Sequence, residues 1–215
     1  MDLTKLWEKA KESGWASTTG ASYLFEYYAE QHGWKGVETR AGEGTTSVLR
    51  PTRRAAAHPR SISAVHGLDE QPLHVDGSHL PLPPDAVVLF AETPNATPTN
   101  LWHFAPFSNR QAPVTDMRHG VFVVGSGPWA FLSSVWDGER LRYDPVIMEP
   151  GDARARTAAA YLNSMQAAAT AFRWEEPNTI LVIDNRRVLH GRAKVAEGDD
   201  GRALVRKAFY VEGDI

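Results

Sequence analysis

The chain has 215 residues, 42% of them hydrophobic and 10% aromatic, with eight histidines and no cysteine. This is enough apolar material for one core, and the length predicts a single domain over residues 1–215. A formal charge of −3 and a pI near 6.2 leave no basic footprint for nucleic acid or an anionic membrane. Without cysteine there is no disulfide, thiolate metal site or thiol nucleophile.

Along the chain, Leu3, Trp7, Ala10 and Lys11 followed by Ser13-Gly14 predict a short amphipathic helix stopped by glycine, and a second helix runs from Ser22 to Gln31 before His32-Gly33. Val48 to Arg60 reads as irregular, basic and proline-bounded. Pro81 to Asp85 is a proline-rich loop leading into the apolar strand Ala86 to Ala91. Val121–Val124 and Thr179–Ile183 are further buried strands, and an Ala-rich helix is expected from Asp152 to Phe172. From Gly201 a strand brings Arg202, Leu204 and Arg206 onto one face and Ala203, Val205 and Lys207 onto the other. No apolar run approaches the ~20 residues that span a bilayer, and Met1-Asp2-Leu3-Thr4-Lys5 does not read as a signal peptide; the expected location is the cytoplasm. Many short strands with turns between them and one substantial helix fit a mainly β chain with flanking helices, a double-stranded β-helix or jelly roll.

The chemistry is concentrated in two places. Leu73-His74-Val75-Asp76-Gly77 puts an imidazole and a carboxylate two residues apart, on one side of an extended chain, and Val188-Leu189-His190-Gly191-Arg192 supplies a second imidazole from a neighbouring strand. Two histidines and one carboxylate on one face of a metal leave three positions open, the arrangement of non-haem Fe(II) oxygenases. His74-x-Asp76 alone is as readily a surface strand pair. An arginine soon after His190, Arg202, suits a carboxylate, since the guanidinium is permanently charged and binds carboxylates as a fork.

With Pro72 to Gly77, Pro83-Pro84, the run Thr97-Pro98-Thr99-Asn100-Leu101-Trp102, the block Ile183 to Arg192 and the closing Arg202 to Arg206, the sequence resembles the taurine dioxygenase family of Fe(II)/2-oxoglutarate oxygenases and clavaminate synthase. The resemblance implies His74, Asp76 and His190 as iron ligands, with 2-oxoglutarate as co-substrate and O2 as oxidant. It implies Arg202 and Thr99, or Asn100 if the register slips by one, as holders of the far carboxylate of 2-oxoglutarate, and Arg206 as a residue facing an anionic substrate. Gln71 and His79 are expected at the substrate, with structural packing an equal reading for His79. Asp184-Asn185 is read as the turn that aims His190, Trp102 as a residue bordering the cavity, and Arg186, Arg187 and Arg192 as arginines bonding nearby carbonyls and carboxylates. The stretch from Thr99 to Tyr161 looks trimmed, so that part of the usual lid is missing or built differently. Asp76 stands where halogenating relatives carry a small residue, which argues against halogenation.

The expected activity is oxidation of a small molecule, by hydroxylation, desaturation or ring closure, with an amino-acid-like, anionic or secondary metabolite as substrate. Two other readings stay open: a cupin-type metal-dependent dioxygenase or isomerase that does not use 2-oxoglutarate, and a non-catalytic jelly-roll binding protein. The oligomeric state has no sequence signal.

Overall fold

The computed structural model describes residues 1–40, 42–58, 61–105 and 111–212. In chain order the elements are α1 (Leu3–Ser13), β1 (Trp15–Thr19), α2 (Ser22–Gln31), β2 (Trp34–Gly36), β3 (Thr46–Leu49), α3 (Ile62–His66), β4 (Ala86–Ala91), β5 (Asn95–His103), α4 (Val114–His119), β6 (Phe122–Val124), β7 (Phe131–Ser133), β8 (Met148–Pro150), α5 (Ala153–Ser164), β9 (Thr170–Trp174), β10 (Thr179–Asp184), β11 (Val188–Arg192) and β12 (Leu204–Val211). The chain is mainly β with flanking helices. Its strands form a six-stranded sheet ordered β1-β10-β4-β12-β2, with β3 also on β12, and two three-stranded sheets, β11-β5-β9 and β7-β6-β8. Each of the strand pairings is antiparallel.

The unbroken apolar run of β4 follows from its place in the middle of the large sheet, covered on both faces. Ala86, Val88 and Phe90 join Ile180, Val182 and Phe209 under the two N-terminal helices, where Leu3, Leu6, Trp7, Phe25 and Ala29 complete the cluster. The alternate residues, Val87, Leu89 and Ala91, face the β11-β5-β9 sheet and pack with Leu101, Trp174, Leu181, Val188 and Leu204. A third cluster joins the small sheet and α5 to the chain around the metal motif, through Leu73, Val75, Leu189, Phe104 and Tyr143. Trp102 belongs to this cluster and is not among the residues lining the large cavity.

Three expectations are corrected. The Ala-rich helix ends at Ser164, followed by a 3-10 turn over Met165–Ala168; Thr170 to Phe172 is strand, because Phe172 and Trp174 pair with Thr99 and Asn95 of β5. The segment from Val48 to Arg60 is not wholly irregular: Val48 and Leu49 extend β3 along β12, and Arg54–Ala56 forms a 3-10 turn. Asp76 lies in a turn, and the extended pairing stops at His74. No described helix is long and apolar enough to cross a membrane.

Candidate metal centre

His74 and His190 are directly opposite each other in an isolated antiparallel bridge, His74 N–H donating to the His190 carbonyl and His190 N–H to the His74 carbonyl, both at 2.9 Å. Opposed residues in such a pair project to the same face, which is why the two rings stand 4.9 Å apart between centroids. Asp76 reaches them from the turn that follows. Gly77 has φ 72°, and a Cβ there would lie 2.6 Å from Pro84 Cδ, so glycine is what allows the chain to turn away directly after the carboxylate.

One donor atom from each of His74, Asp76 and His190 lies within 4.8 Å of the others. The His74 and His190 Nε2 atoms are each 3.8 Å from a different Asp76 oxygen, Oδ1 and Oδ2. A divalent metal at about 2.1 Å from each donor spans donor pairs about 3–4 Å apart. His74 Nδ1 donates to the Pro72 carbonyl at 3.0 Å; a carbonyl only accepts, so the proton sits on Nδ1 and the Nε2 lone pair faces the cluster. Burial pushes the His190 imidazole down to about 4, outweighing the attraction of Asp76, and the ring is neutral and ligand-competent at neutral pH. Burial by itself would raise the Asp76 carboxyl, but the Arg206 guanidinium overrides it and holds the group below the usual carboxylate range. Asp76 Oδ2 is buried without a hydrogen-bond partner. An orphaned carboxylate oxygen 3.8 Å from the His190 Nε2, beside a second imidazole whose lone pair faces the cluster, is an arrangement that a cation completes, and the residues fit a divalent iron.

These groups border a cavity of about 540 Å³ between the six-stranded sheet, which contributes Leu89, Leu204 and Arg206, and the β11-β5-β9 sheet, which contributes Thr99, His190 and Gly191. Arg202 also lines the cavity and is 9% exposed. It donates to the Thr97 carbonyl at 2.6 Å and to Asn95 Oδ1 at 3.1 Å, while its Nε is buried and unpartnered. Burial, with Arg192 adding to it, lowers this guanidinium to about 10. Thr99 Oγ1 accepts from Trp174 Nε1 at 3.2 Å, which leaves its own proton to donate. Thr99 lines the cavity, whereas Asn100, on the other face of β5, donates to Glu70 Oε1 at 2.8 Å and does not.

Gln71 and the exposed His79 also border the cavity, Gln71 Nε2 donating to Ser63 Oγ at 3.3 Å. Arg206 borders it too, with its terminal nitrogens engaged: Nη1 donates to Asp76 Oδ1 at 3.1 Å, and Nη2 to Thr39 Oγ1 at 2.6 Å and Ser47 Oγ at 3.0 Å. Arg192 bonds the carbonyls of Gly67, Leu68, Asp69 and Ala193, and Arg186 pairs with Asp184. Asn185 acts on Asp76 rather than only on its own turn, accepting from the Asp76 N–H and donating to the Asp76 carbonyl.

Sequence reasoning missed Asp144, buried at the cavity wall with Oδ1 accepting from the Val146 N–H at 2.8 Å, and missed the wall built from 48–58 and 61–63. A lone aspartate outside any motif gives no signal. The basic, proline-bounded composition of the other segment was the available hint that it covers something.

The model of the Taurine catabolism dioxygenase TauD, TfdA family matches residues 103–207. No curated protein matches the sequence. Among solved structures, asparagine oxygenase (AsnO) superposes with a TM-score of 0.77 at 16% identity, over 98% of this chain and 77% of that one. The non-heme iron oxygenase OrfP, in complex with Fe and alpha-ketoglutaric acid, gives 0.73 at 16% identity over 97% and 79%. At such identity the likeness is one of fold. The stretch that matches the family model, residues 103–207, includes His190, Arg202 and Arg206, and over it the chain is similar to the Taurine catabolism dioxygenase TauD, TfdA family.

Proposed function

We propose that this dioxygenase holds Fe(II) on His74, Asp76 and His190, takes 2-oxoglutarate with its far carboxylate on Arg202 and Thr99, and oxidises a C–H bond of a small amino-acid-like molecule. The observation that carries the reading is the buried Asp76 carboxylate, its Oδ2 unpartnered, clustered with two imidazoles in a walled cavity. When bound, iron and 2-oxoglutarate supply oxygen activation: the 2-oxo acid loses CO2 to give succinate, and oxidising power passes to the substrate C–H bond. The protein's residues position and exclude. Arg202 brings a buried cation with an unused N–H to the cavity wall, and Thr99 brings a hydroxyl that already accepts from Trp174. Leu89, Leu204 and Ile147 keep that space apolar.

The substrate class follows from the charges that remain. Asp76 and Asp144 are the two acidic residues among the described lining; with Asp76 committed to the metal and Arg206, Asp144 faces the cavity as the anion for an ammonium or guanidinium group. Arg40 and Arg50 at the rim suit a carboxylate. A zwitterionic small molecule meets both, and the solved structure of asparagine oxygenase with Fe(II), 3-hydroxyasparagine and succinate supports an amino-acid-like substrate. The finer architecture we read as a distorted double-stranded β-helix whose two facing sheets are the six-stranded one and β11-β5-β9, with residues 1–215 forming one domain.

The test is an anaerobic titration of the metal-free protein with Fe(II) and 2-oxoglutarate. The expected result is the weak visible absorption that forms only when a 2-oxo acid chelates ferrous iron, lost in His190→Ala, with succinate release in the presence of substrate. Iron binding without that absorption would favour a metal enzyme that does not use 2-oxoglutarate. No iron binding would overturn the reading.

A further inference from the structure

Arginine and carboxylate side chains commonly meet as a bidentate fork. Arg206 and Asp76 do not: Nη1 donates to Oδ1 at 3.1 Å, Nη2 is turned away onto the hydroxyls of Thr39 and Ser47, and Oδ2 is left buried and bare. Both hydroxyls come from outside the metal motifs. Thr39 follows β2 and is 5% exposed, and Ser47 lies on β3 directly across from Arg206 in the register with β12. We infer that Thr39 and Ser47 are positioning residues for the metal centre: by holding Nη2 of Arg206 they prevent its guanidinium from closing over both oxygens of Asp76, and so keep Oδ2 open to the metal.

The inference rests on the proposed metal site. A buried guanidinium seeks an acceptor for each N–H. With Thr39 and Ser47 reduced to apolar side chains, an unused acceptor beside it is Asp76 Oδ2, and the fork that forms there competes with the metal for the same lone pairs. The two hydroxyls carry no charge, so removing them leaves the electrostatic field at the metal nearly unchanged. Thr39→Val is close to isosteric, and Ser47→Ala removes one oxygen from a half-buried strand position.

The experiment measures Mn(II) affinity of the full chain from the free-ion electron paramagnetic resonance signal, together with the melting temperature of the metal-free protein. Thr39→Val/Ser47→Ala should bind Mn(II) roughly ten-fold more weakly than wild type, as changes to residues behind metal ligands generally do. Thr39→Ser should retain wild-type affinity. Adding Arg206→Met to the double variant should restore binding, because the competing fork is gone; damage to the fold would not be repaired by a third substitution. Wild-type affinity in the double variant, or no recovery with Arg206→Met, overturns the inference while leaving the metal site standing. Failure of wild type to bind Mn(II), with Asp76→Asn indistinguishable from it, overturns the metal site and the inference together. If the double variant does not fold, Thr39→Val alone decides: a several-fold loss upholds the inference and an unchanged affinity overturns it.

Discussion

Asn185 clamps Asp76 by its backbone: Asn185 Oδ1 accepts from the Asp76 N–H at 3.1 Å, and Nδ2 donates to the Asp76 carbonyl at 3.0 Å and to the Pro84 carbonyl at 2.9 Å. One fully buried amide thereby satisfies three backbone groups around the turn that presents the carboxylate, and ties it to the connection between β10 and β11, 109 residues away in sequence. Asn185→Ala leaves those groups buried and unpaired, a loss of about 3 kcal/mol. Urea denaturation of the metal-free protein measures it. A cost below about 0.5 kcal/mol, the range of neutral surface changes, would show that the turn does not depend on this clamp.

Gly191 is fixed by a close approach of backbone to backbone. A Cβ there would lie 2.8 Å from the Gln71 carbonyl oxygen and 2.9 Å from that of Pro72. Neither can yield as a side-chain tip would, so Gly191→Ala forces β11 away from the strand segment carrying His74. The His74–His190 bridge is adjacent, and the expected outcome is a stability loss of about 1–3 kcal/mol together with weakened divalent-metal binding by calorimetry. A variant that loses stability yet binds metal as wild type does would mean that the two strands separate without disturbing the ligands.

Much of this site was legible in the sequence, for reasons that separate cleanly from what was not. His74, Asp76 and His190 sit in two short motifs that the fold brings together, although Asp76 reaches the cluster from a turn and not along an extended strand, and the alternation of Arg202 to Lys207 is the period that β12 carries on from Leu204. The doubly covered β4 and β10 announce themselves as unbroken apolar runs. The end of α5 did not, because helix propensity continues through Ala167, Ala168 and Ala169 while the strand that follows is imposed by pairing with β5. The engagement of Arg206 was invisible for a stronger reason: its acceptors lie 130, 159 and 167 residues away, and nothing local distinguishes an arginine aimed at a substrate from one aimed at a metal ligand.

The pH dependence of stability has a defined sign. His190 titrates in the folded chain at about 4, against an ordinary value of 6.5, so between pH 6.5 and 4 the unfolded chain binds more protons and unfolding becomes easier as pH falls. The contribution, up to about 3 kcal/mol, is complete above pH 6.5 and gone below 4. Asp76, also depressed, extends the decline to lower pH. Urea midpoints of the metal-free protein at pH 7, 5.5 and 4.5 should fall steadily, and His190→Gln should flatten this window. Parallel slopes in the two proteins would contradict the assignment.

Asp144 is argued to receive the cationic end of the substrate. Asp144→Asn keeps the side-chain oxygen that accepts from the Val146 N–H and removes the charge, so the fold should hold within about 0.5 kcal/mol. An ionic hydrogen bond exchanged for a neutral one weakens aminated-substrate binding by roughly ten-fold, seen as a raised KM at constant 2-oxoglutarate KM. A KM unchanged for every amino acid that supports succinate release would remove Asp144 from the substrate site.

Arg202 faces the opposite demand. It is buried, lacks a direct carboxylate contact among the described residues, and holds only a carbonyl and an amide oxygen; Asp199 attracts its charge without a direct ion pair, so the guanidinium can still take an arriving anion. Arg202→Met keeps the length and apolar stem while removing that charge; the metal-free protein should change little in stability, because a buried cation with no carboxylate in direct contact has been replaced by a thioether. Binding of 2-oxoglutarate to the metal-loaded protein should weaken by on the order of a hundred-fold, the worth of a charge-assisted hydrogen-bond pair. Thr99→Val, removing a single neutral hydroxyl, should weaken it only about five-fold. Succinate is the informative competitor. It carries the same far carboxylate but no 2-oxo group, so its inhibition constant should rise in Arg202→Met in step with the 2-oxoglutarate KM. If the 2-oxoglutarate KM rose while succinate inhibition stayed as in wild type, Arg202 would act on the chelating end of the co-substrate and not on its far carboxylate.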